Sequence, residues 1–166
     1  KETRLPVVVA RLFNTVGPRQ TGQYGMVVPR FVEAALKNEP IEVHGDGTQS
    51  RCFGHVSDVV NGLSTALETP ACFGQVVNFG SDAEVSINDL AKRAIELTKS
   101  TSEIRYLAYD QVYGDGFEDM QRRVPSLEKA LRLTGYKPTK SLDDIINDVA
   151  AELRSDMPES KLHAGK

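Results

Sequence analysis

The chain has 166 residues, enough for one domain with a substantial core, with 40% hydrophobic and 26% charged residues and a formal net charge of −3. That balance argues against a nucleic-acid or anionic-membrane partner, and no apolar run approaches the roughly 20 residues that span a bilayer. No secretory signal opens the chain, and Cys52 and Cys72, outside any metal-ligand spacing, read as buried free thiols of a cytoplasmic protein.

The first residues, Lys1-Glu2-Thr3-Arg4, lack an initiator Met and run directly into Leu5-Pro6-Val7-Val8-Val9-Ala10. A β-branched run this early predicts a central strand whose neighbours come earlier in a longer chain. Val7 to Phe13 is the expected strand, short, continuous and buried. Residues 14 to 25 hold Asn14, Gly17, Pro18, Gly22 and Gly25 and predict a loop. Val28, Phe31, Val32, Ala35 and Leu36 recur at helical spacing. Ile41 to His44 is a short strand, Gly45-Asp46-Gly47 a turn, and Arg51 to Phe53 a second extended piece.

Val59, Val60, Leu63, Ala66 and Leu67 form the next helical stripe, ending near Pro70. Val76 to Phe79 is a strand closed by Gly80. Ser86 caps a helix with Asp89 three residues on, an acidic variant of the capping box, and Ile87, Leu90, Ala91, Ala94 and Ile95 face inward. Ile104 to Ala108 is a strand, and 109 to 125 a polar loop. Ser126 opens a short helix with Leu127, Ala130 and Leu131 inside, and Gly135 stands where a left-handed cap belongs. The last helix starts at Ser141 and buries Leu142, Ile145, Ile146, Val149 and Leu153. The expected division is a domain over 1–154 and a polar, flexible tail over 155–166. The pattern is mixed α/β, with strands too short and scattered for a complete doubly wound sheet.

Three segments could carry chemistry. Arg11-Leu12-Phe13-Asn14-Thr15-Val16-Gly17-Pro18-Arg19 places an Asn at the carboxyl end of a strand, where ligands bind in open α/β sheets. Its amide can donate to a phosphate or sugar oxygen, or it can simply cap the turn. Glu42 to Phe53 contains Gly45 and Gly47, which let a backbone approach a ligand. Gln49 and Arg51 lie two apart and so share one side of an extended segment, where the Arg fork suits a diphosphate. The bland alternative is a hairpin turn with a surface Arg. Tyr113 to Ser126 offers aromatic surfaces for a base and the Arg122-Arg123 cations for phosphate, or is a solvated connection. Loops this long without structure are more often functional.

Together these segments resemble the nucleotide-sugar epimerase, dehydratase and decarboxylase branch of the extended short-chain dehydrogenases. The resemblance rests on Arg-x-x-Asn-x-x-Gly-Pro at 11–18, Val-Pro-Arg-Phe at 28–31, Gly-Asp-Gly-x-Gln-x-Arg-x-Phe at 45–53 and Val-x-Asp-Val-Val at 56–60. Arg123 and Pro-Ser-x-x-Lys-Ala-x-x-x-x-Gly-Tyr-x-Pro at 125–138 complete it. It implies a fold of Rossmann-type end strands plus the smaller mixed α/β substrate-binding domain. It also implies roles. Asn14 resembles the residue contacting the substrate diphosphate, Val43 and His44 the strand whose edge holds uracil or another base, and Gln49 and Arg51 the polar pair near ribose and phosphates. Arg123 resembles the second phosphate-binding Arg, and Tyr113 or Phe117 lies near the nucleotide. Phe13 resembles the position whose backbone approaches the nicotinamide of NAD. Ser126 stands where some members have Asp.

The family's chemistry needs a glycine-rich strand–helix turn for the NAD pyrophosphate and a Tyr-x-x-x-Lys on one helix, where the Lys lowers the Tyr pKa. Gly22-x-x-Gly25, Gly45-x-Gly47 and Gly114-x-Gly116 each lack the third glycine. Tyr136 and Lys140 have the catalytic spacing, but Pro138 between them opposes a helix. The resemblance therefore implies the C-terminal portion of an NAD-dependent UDP-sugar 4-epimerase, without catalytic or metal residues of its own. Its NAD would be held mainly by an N-terminal half, and the full-length protein would be a homodimer. Fragments of a UDP-glucuronate decarboxylase or a nucleotide-sugar 4,6-dehydratase are alternatives on the same scaffold. A stand-alone nucleoside-diphosphate module and an α/β interaction domain are alternatives of other classes.

Overall fold

The computed structural model describes residues 5–20, 26–109 and 120–157. It is mixed α/β, built on small parallel sheets, and it divides into two compact units. Tyr113 and Phe117 lie outside the described residues.

The first unit comprises Lys1–Val16, Cys52–Glu84 and Val124–Ser141. Strands β1 (Val9–Leu12) and β6 (Val76–Phe79) pair in parallel, with Val9 opposite Val76 and Leu12 opposite Phe79. Two shorter strands, β2 (Thr15–Val16) and β5 (Gly54–His55), form a second parallel pair. Helix α2 (Val56–Glu68) begins where the His55 ring accepts the Ser57 amide at 3.1 Å. Helix α4 (Glu128–Thr134) ends on Gly135 in the left-handed conformation, as its position predicts. These helices bury Val59, Ala66, Leu127 and Ala130 with Val77, Phe79 and Tyr136. The Phe79 and Tyr136 rings meet edge to face, 5.1 Å between centroids.

The first strand departs from expectation. It is shorter than Val7–Phe13 and it is not buried. Val8 and Ala10 pack on the core, while Val7 (46%), Val9 (50%) and Val76 (38%) are exposed. A continuous apolar run reads as a strand covered on both faces; within this chain only one face is covered. Val60, Leu67 and Leu131, expected inside their helices, are exposed too. Val60 and Leu67 each follow a buried residue, Val59 and Ala66, by one position, and 100° of rotation carries them off a narrow stripe.

Asp58 sits in α2 and ties down the chain after α4. One carboxylate oxygen accepts the Thr139 hydroxyl at 2.6 Å, and the other accepts the amides of Thr139 (2.9 Å) and Lys140 (3.0 Å). Burial pushes this carboxyl up, but the three donors together outweigh it and hold Asp58 below its usual range. No helix spans Tyr136 and Lys140. The Tyr136 hydroxyl is buried, donating to the Gly80 carbonyl at 2.7 Å and accepting the Gly80 amide at 3.1 Å.

The second unit comprises Gly17–Arg51, Val85–Arg123 and Leu142–Lys166. Helix α1 (Val27–Leu36) leads into β3 (Ile41–His44), which pairs in parallel with β8 (Ile104–Leu107). Strand β4 (Ser50–Cys52) lies between β7 (Glu84–Ser86) and β9 (Arg122–Arg123). Helix α3 (Ile87–Thr98) carries the predicted cap. The Ser86 hydroxyl oxygen accepts the Asp89 amide at 3.0 Å, and its hydrogen goes to the Asp89 carboxylate at 2.7 Å. Helices α1, α3 and α5 (Leu142–Asp156) pack on one another, burying Phe31, Val32, Leu90, Ala94, Ile145 and Ile146. Arg93 on α3 clamps Asp143 on α5 with both arms of its fork, Nε to Oδ1 at 2.6 Å and Nη2 to Oδ2. Among the described residues no helix is long and apolar enough to cross a membrane, and the two cysteines are buried and not joined in a disulfide.

Candidate functional site

In the first unit, Phe13 and Asn14 follow β1. The Phe13 amide donates to Phe79 at 2.9 Å. Asn14 adopts φ 37°, which a short polar side chain tolerates, and its Nδ2 donates to the Cys52 carbonyl at 2.8 Å. Its own carbonyl accepts the Gly54 amide at 3.1 Å. Asn14 thus fixes the junction from which β2 and β5 start, and half of its side-chain amide is engaged there.

The remaining described candidates lie in the second unit. Arg51 and Arg123 are directly opposite each other in the parallel β4–β9 pair, so their side chains leave the sheet on the same face. Arg51 Nη1 donates to the carbonyls of Ser50 and Met120, each at 2.7 Å. This proximity rests on β9, a two-residue strand that leaves no periodicity in sequence.

Val43 is fully buried and His44 half-buried on β3. Gln49, expected beside Arg51, is buried at 6% exposure. Its Nε2 donates to the His44 carbonyl at 3.0 Å and to the Tyr109 hydroxyl at 2.8 Å. It braces the turn from β3 to β4, with Gly45 (φ 76°) and Gly47 (φ 73°) left-handed between them. A side chain at Gly45 would strike the Tyr109 ring at 2.4 Å. Asp46 accepts the Thr48 amide and hydroxyl, which hold its carboxyl below the usual range.

Two residues not singled out from sequence enter here. Tyr109 joins Gly45, Asp46, Tyr106, Leu107 and Ala108 around a depression of about 660 Å³. Arg30, inside the quoted Val-Pro-Arg-Phe, places Nη2 3.4 Å from His44 Nε2. Burial first, and Arg30 second, lower the His44 pKa below its ordinary value, with Glu42 opposing. Among the described residues no His, Cys, Asp and Glu cluster could hold a metal.

Residues 1–80 match the model of the NAD dependent epimerase/dehydratase family. The chain is 39% identical over 138 residues to the UDP-N-acetyl-alpha-D-glucosaminuronate decarboxylase of Bacillus cytotoxicus, covering 82% of this chain and 43% of that protein. It is 36% identical over 157 residues to UDP-glucuronic acid decarboxylase 1 of Xenopus tropicalis, covering 95% and 35%. The crystal structure of UDP-glucuronic acid 4-epimerase from Bacillus cereus, in complex with UDP-glucuronic acid and NAD, superposes with a TM-score of 0.82 at 27% identity, over 94% of this chain and 48% of that one. These likenesses are to members of the extended short-chain dehydrogenase/reductase family. The chain belongs to the NAD-dependent epimerase/dehydratase family, and it spans less than half the length of these relatives.

Proposed function

We propose that this chain is the nucleotide-sugar-binding portion of an NAD-dependent enzyme acting at C4 of a UDP-sugar. The observation carrying this reading is the Arg51–Arg123 register. Opposed like charges disfavour each other across strands, and a diphosphate set between two guanidinium forks offers each a bidentate partner. The family resemblance assigns Asn14 the role of an uncharged donor to a substrate diphosphate, and the β3 edge at Val43 and His44 receives the base. Gln49 acts by bracing that edge, through the His44 carbonyl, and the resemblance assigns Tyr113 or Phe117, both outside the described residues, to the nucleotide.

NAD, when bound, supplies the hydride acceptor, and Phe13 is the residue of this chain assigned to its nicotinamide end. Epimerisation and decarboxylation on this scaffold both begin by removing hydride from C4. The relatives named above favour a uronate as the sugar for either outcome. The whole protein is proposed to be a homodimer in the cytoplasm.

Calorimetry with UDP tests the binding reading, with micromolar to millimolar affinity expected. Arg51→Ala or Arg123→Ala should each weaken binding about tenfold, the size of a lost charge-assisted hydrogen bond. Absence of heat with the wild-type chain, or unchanged affinity in both variants, overturns it. With UDP-glucuronate or UDP-glucose and NAD⁺, this chain alone should not turn over, since its sole Tyr-x-x-x-Lys, Tyr136 and Lys140, lies outside a helix.

A further inference from the structure

We infer that Arg30 is a positioning residue for His44, holding its imidazole neutral with the ring proton on Nδ1. The inference rests on the reading of β3 as the edge that receives the base. Arg30 reaches from α1 to place Nη2 3.4 Å from His44 Nε2, and both side chains are half-buried. A guanidinium is only ever a donor, and an imidazole nitrogen accepts only through its lone pair. The contact therefore requires Nε2 to be unprotonated, and a neutral ring then carries its proton on Nδ1. Protonating Nε2 would turn an N–H toward a cation at contact distance.

The surrounding charges do not undo this. Glu42 lies two residues back on β3, on the same face as His44, and pulls the other way. It stands in register with Arg105 on β8, and Arg30, Glu42 and Arg105 line one cleft of about 380 Å³ with Glu39. Opposite His44 itself β8 presents the apolar Leu107. The nearby Tyr109 hydroxyl accepts from Gln49. Burial and Arg30 both act against a charged ring. The consequence is a division of labour. Positive charge for the diphosphate comes from Arg51 and Arg123, while the His44 ring at the base edge stays neutral and fixed in one tautomer through the physiological range.

The test is two-bond proton–nitrogen NMR on the ¹⁵N-labelled 166-residue chain, with His44→Asn assigning the signal and His55 and His163 as internal references. In the wild type, His44 should show the Nδ1–H form at pH 7.5 and titrate below the ordinary imidazole value. In Arg30→Met its midpoint should rise and the Nδ1–H form should no longer dominate. Arg30→Lys, which keeps the cation, should restore the low midpoint and guards against a folding artefact. An Nε2–H ring in the wild type, or a midpoint unmoved in Arg30→Met, overturns the inference. In calorimetry, Arg30→Met should gain UDP affinity over wild type by about threefold as pH falls from 8 to 5.5, the scale of an exposed charge pair. Equal pH profiles would overturn the link to binding. A wild-type chain that ignores UDP but shows the Nδ1–H ring and the shifted variant would sink the nucleotide reading and leave the Arg30–His44 pairing standing.

Discussion

Asp58 and Tyr136 each satisfy buried backbone groups far away in sequence. Because three donors lower the Asp58 pKa in the folded state, the stability it provides is present above the ordinary carboxylate range and is lost as pH falls through the depressed folded value. Acid unfolding should therefore lose one acid-sensitive step in Asp58→Asn. That variant should also unfold about 2 kcal/mol more easily at neutral pH, since it turns a donor toward donors. Thermal melts across pH 2–7 measure both. Tyr136→Phe removes two hydrogen bonds to Gly80 without emptying the core and should cost about 1–2 kcal/mol in denaturant unfolding. Burial raises the Tyr136 pKa, so its stabilisation is present below the ordinary phenol pKa and lost as pH rises through the higher folded value. The phenylalanine variant should lack that alkaline loss. Asp58 stood in the quoted Val-x-Asp-Val-Val, yet its role was not legible, because its partners lie 81 and 82 residues later.

Elements whose determinants are local were legible. The Ser86 cap, the left-handed Gly135 and the Gly45–Gly47 turn each follow from side-chain or backbone chemistry within three residues. Strands β2, β5, β7 and β9, two or three residues each, were not, because so few residues show no alternation. Of the candidate site, the residue types at Asn14, Arg51 and Arg123 were legible in motifs. That Arg123 faces Arg51 depends on β9 and was not. Nor was the inward turn of Gln49, since a period of two predicts only that it shares a side with Arg51. The β2–β5 pair places another constraint on the Asn14 junction. A Cβ on Gly54 would meet the Gly80 Cα at 2.8 Å, backbone against backbone. Gly54→Ala should therefore force strands apart and destabilise by about 2–3 kcal/mol, with hydrogen exchange at the Gly54 amide accelerated. Unchanged exchange and melting would show that the strands yield freely.

For the whole molecule, the bare face of the β1–β6 pair governs behaviour in solution. Val9 and Val76 present β-branched side chains to solvent on a parallel pair, and Val7, just before it, is exposed too. Such pairs are ordinarily covered on both faces, and exposed strands invite pairing with other chains. The chain should therefore associate as concentration rises, and Val9→Lys should shift sedimentation profiles toward monomer. A wild-type chain that stays strictly monomeric would mean that this face is satisfied without a partner.

The division into two units carries a consequence for anyone who would take the protein apart. The chain passes from one unit to the other after Val16, Arg51, Glu84, Arg123 and Ser141. Each unit is therefore assembled from three separate stretches, and no single cut releases either one whole. Terminal deletions reaching past Val16 or Leu142 would injure both at once. Neither could be moved into another protein as one continuous cassette. The sequence behaves as a braid, and two of its crossings, after Arg51 and after Glu84, fall inside strands β4 and β7, so an insertion at either would cut a strand.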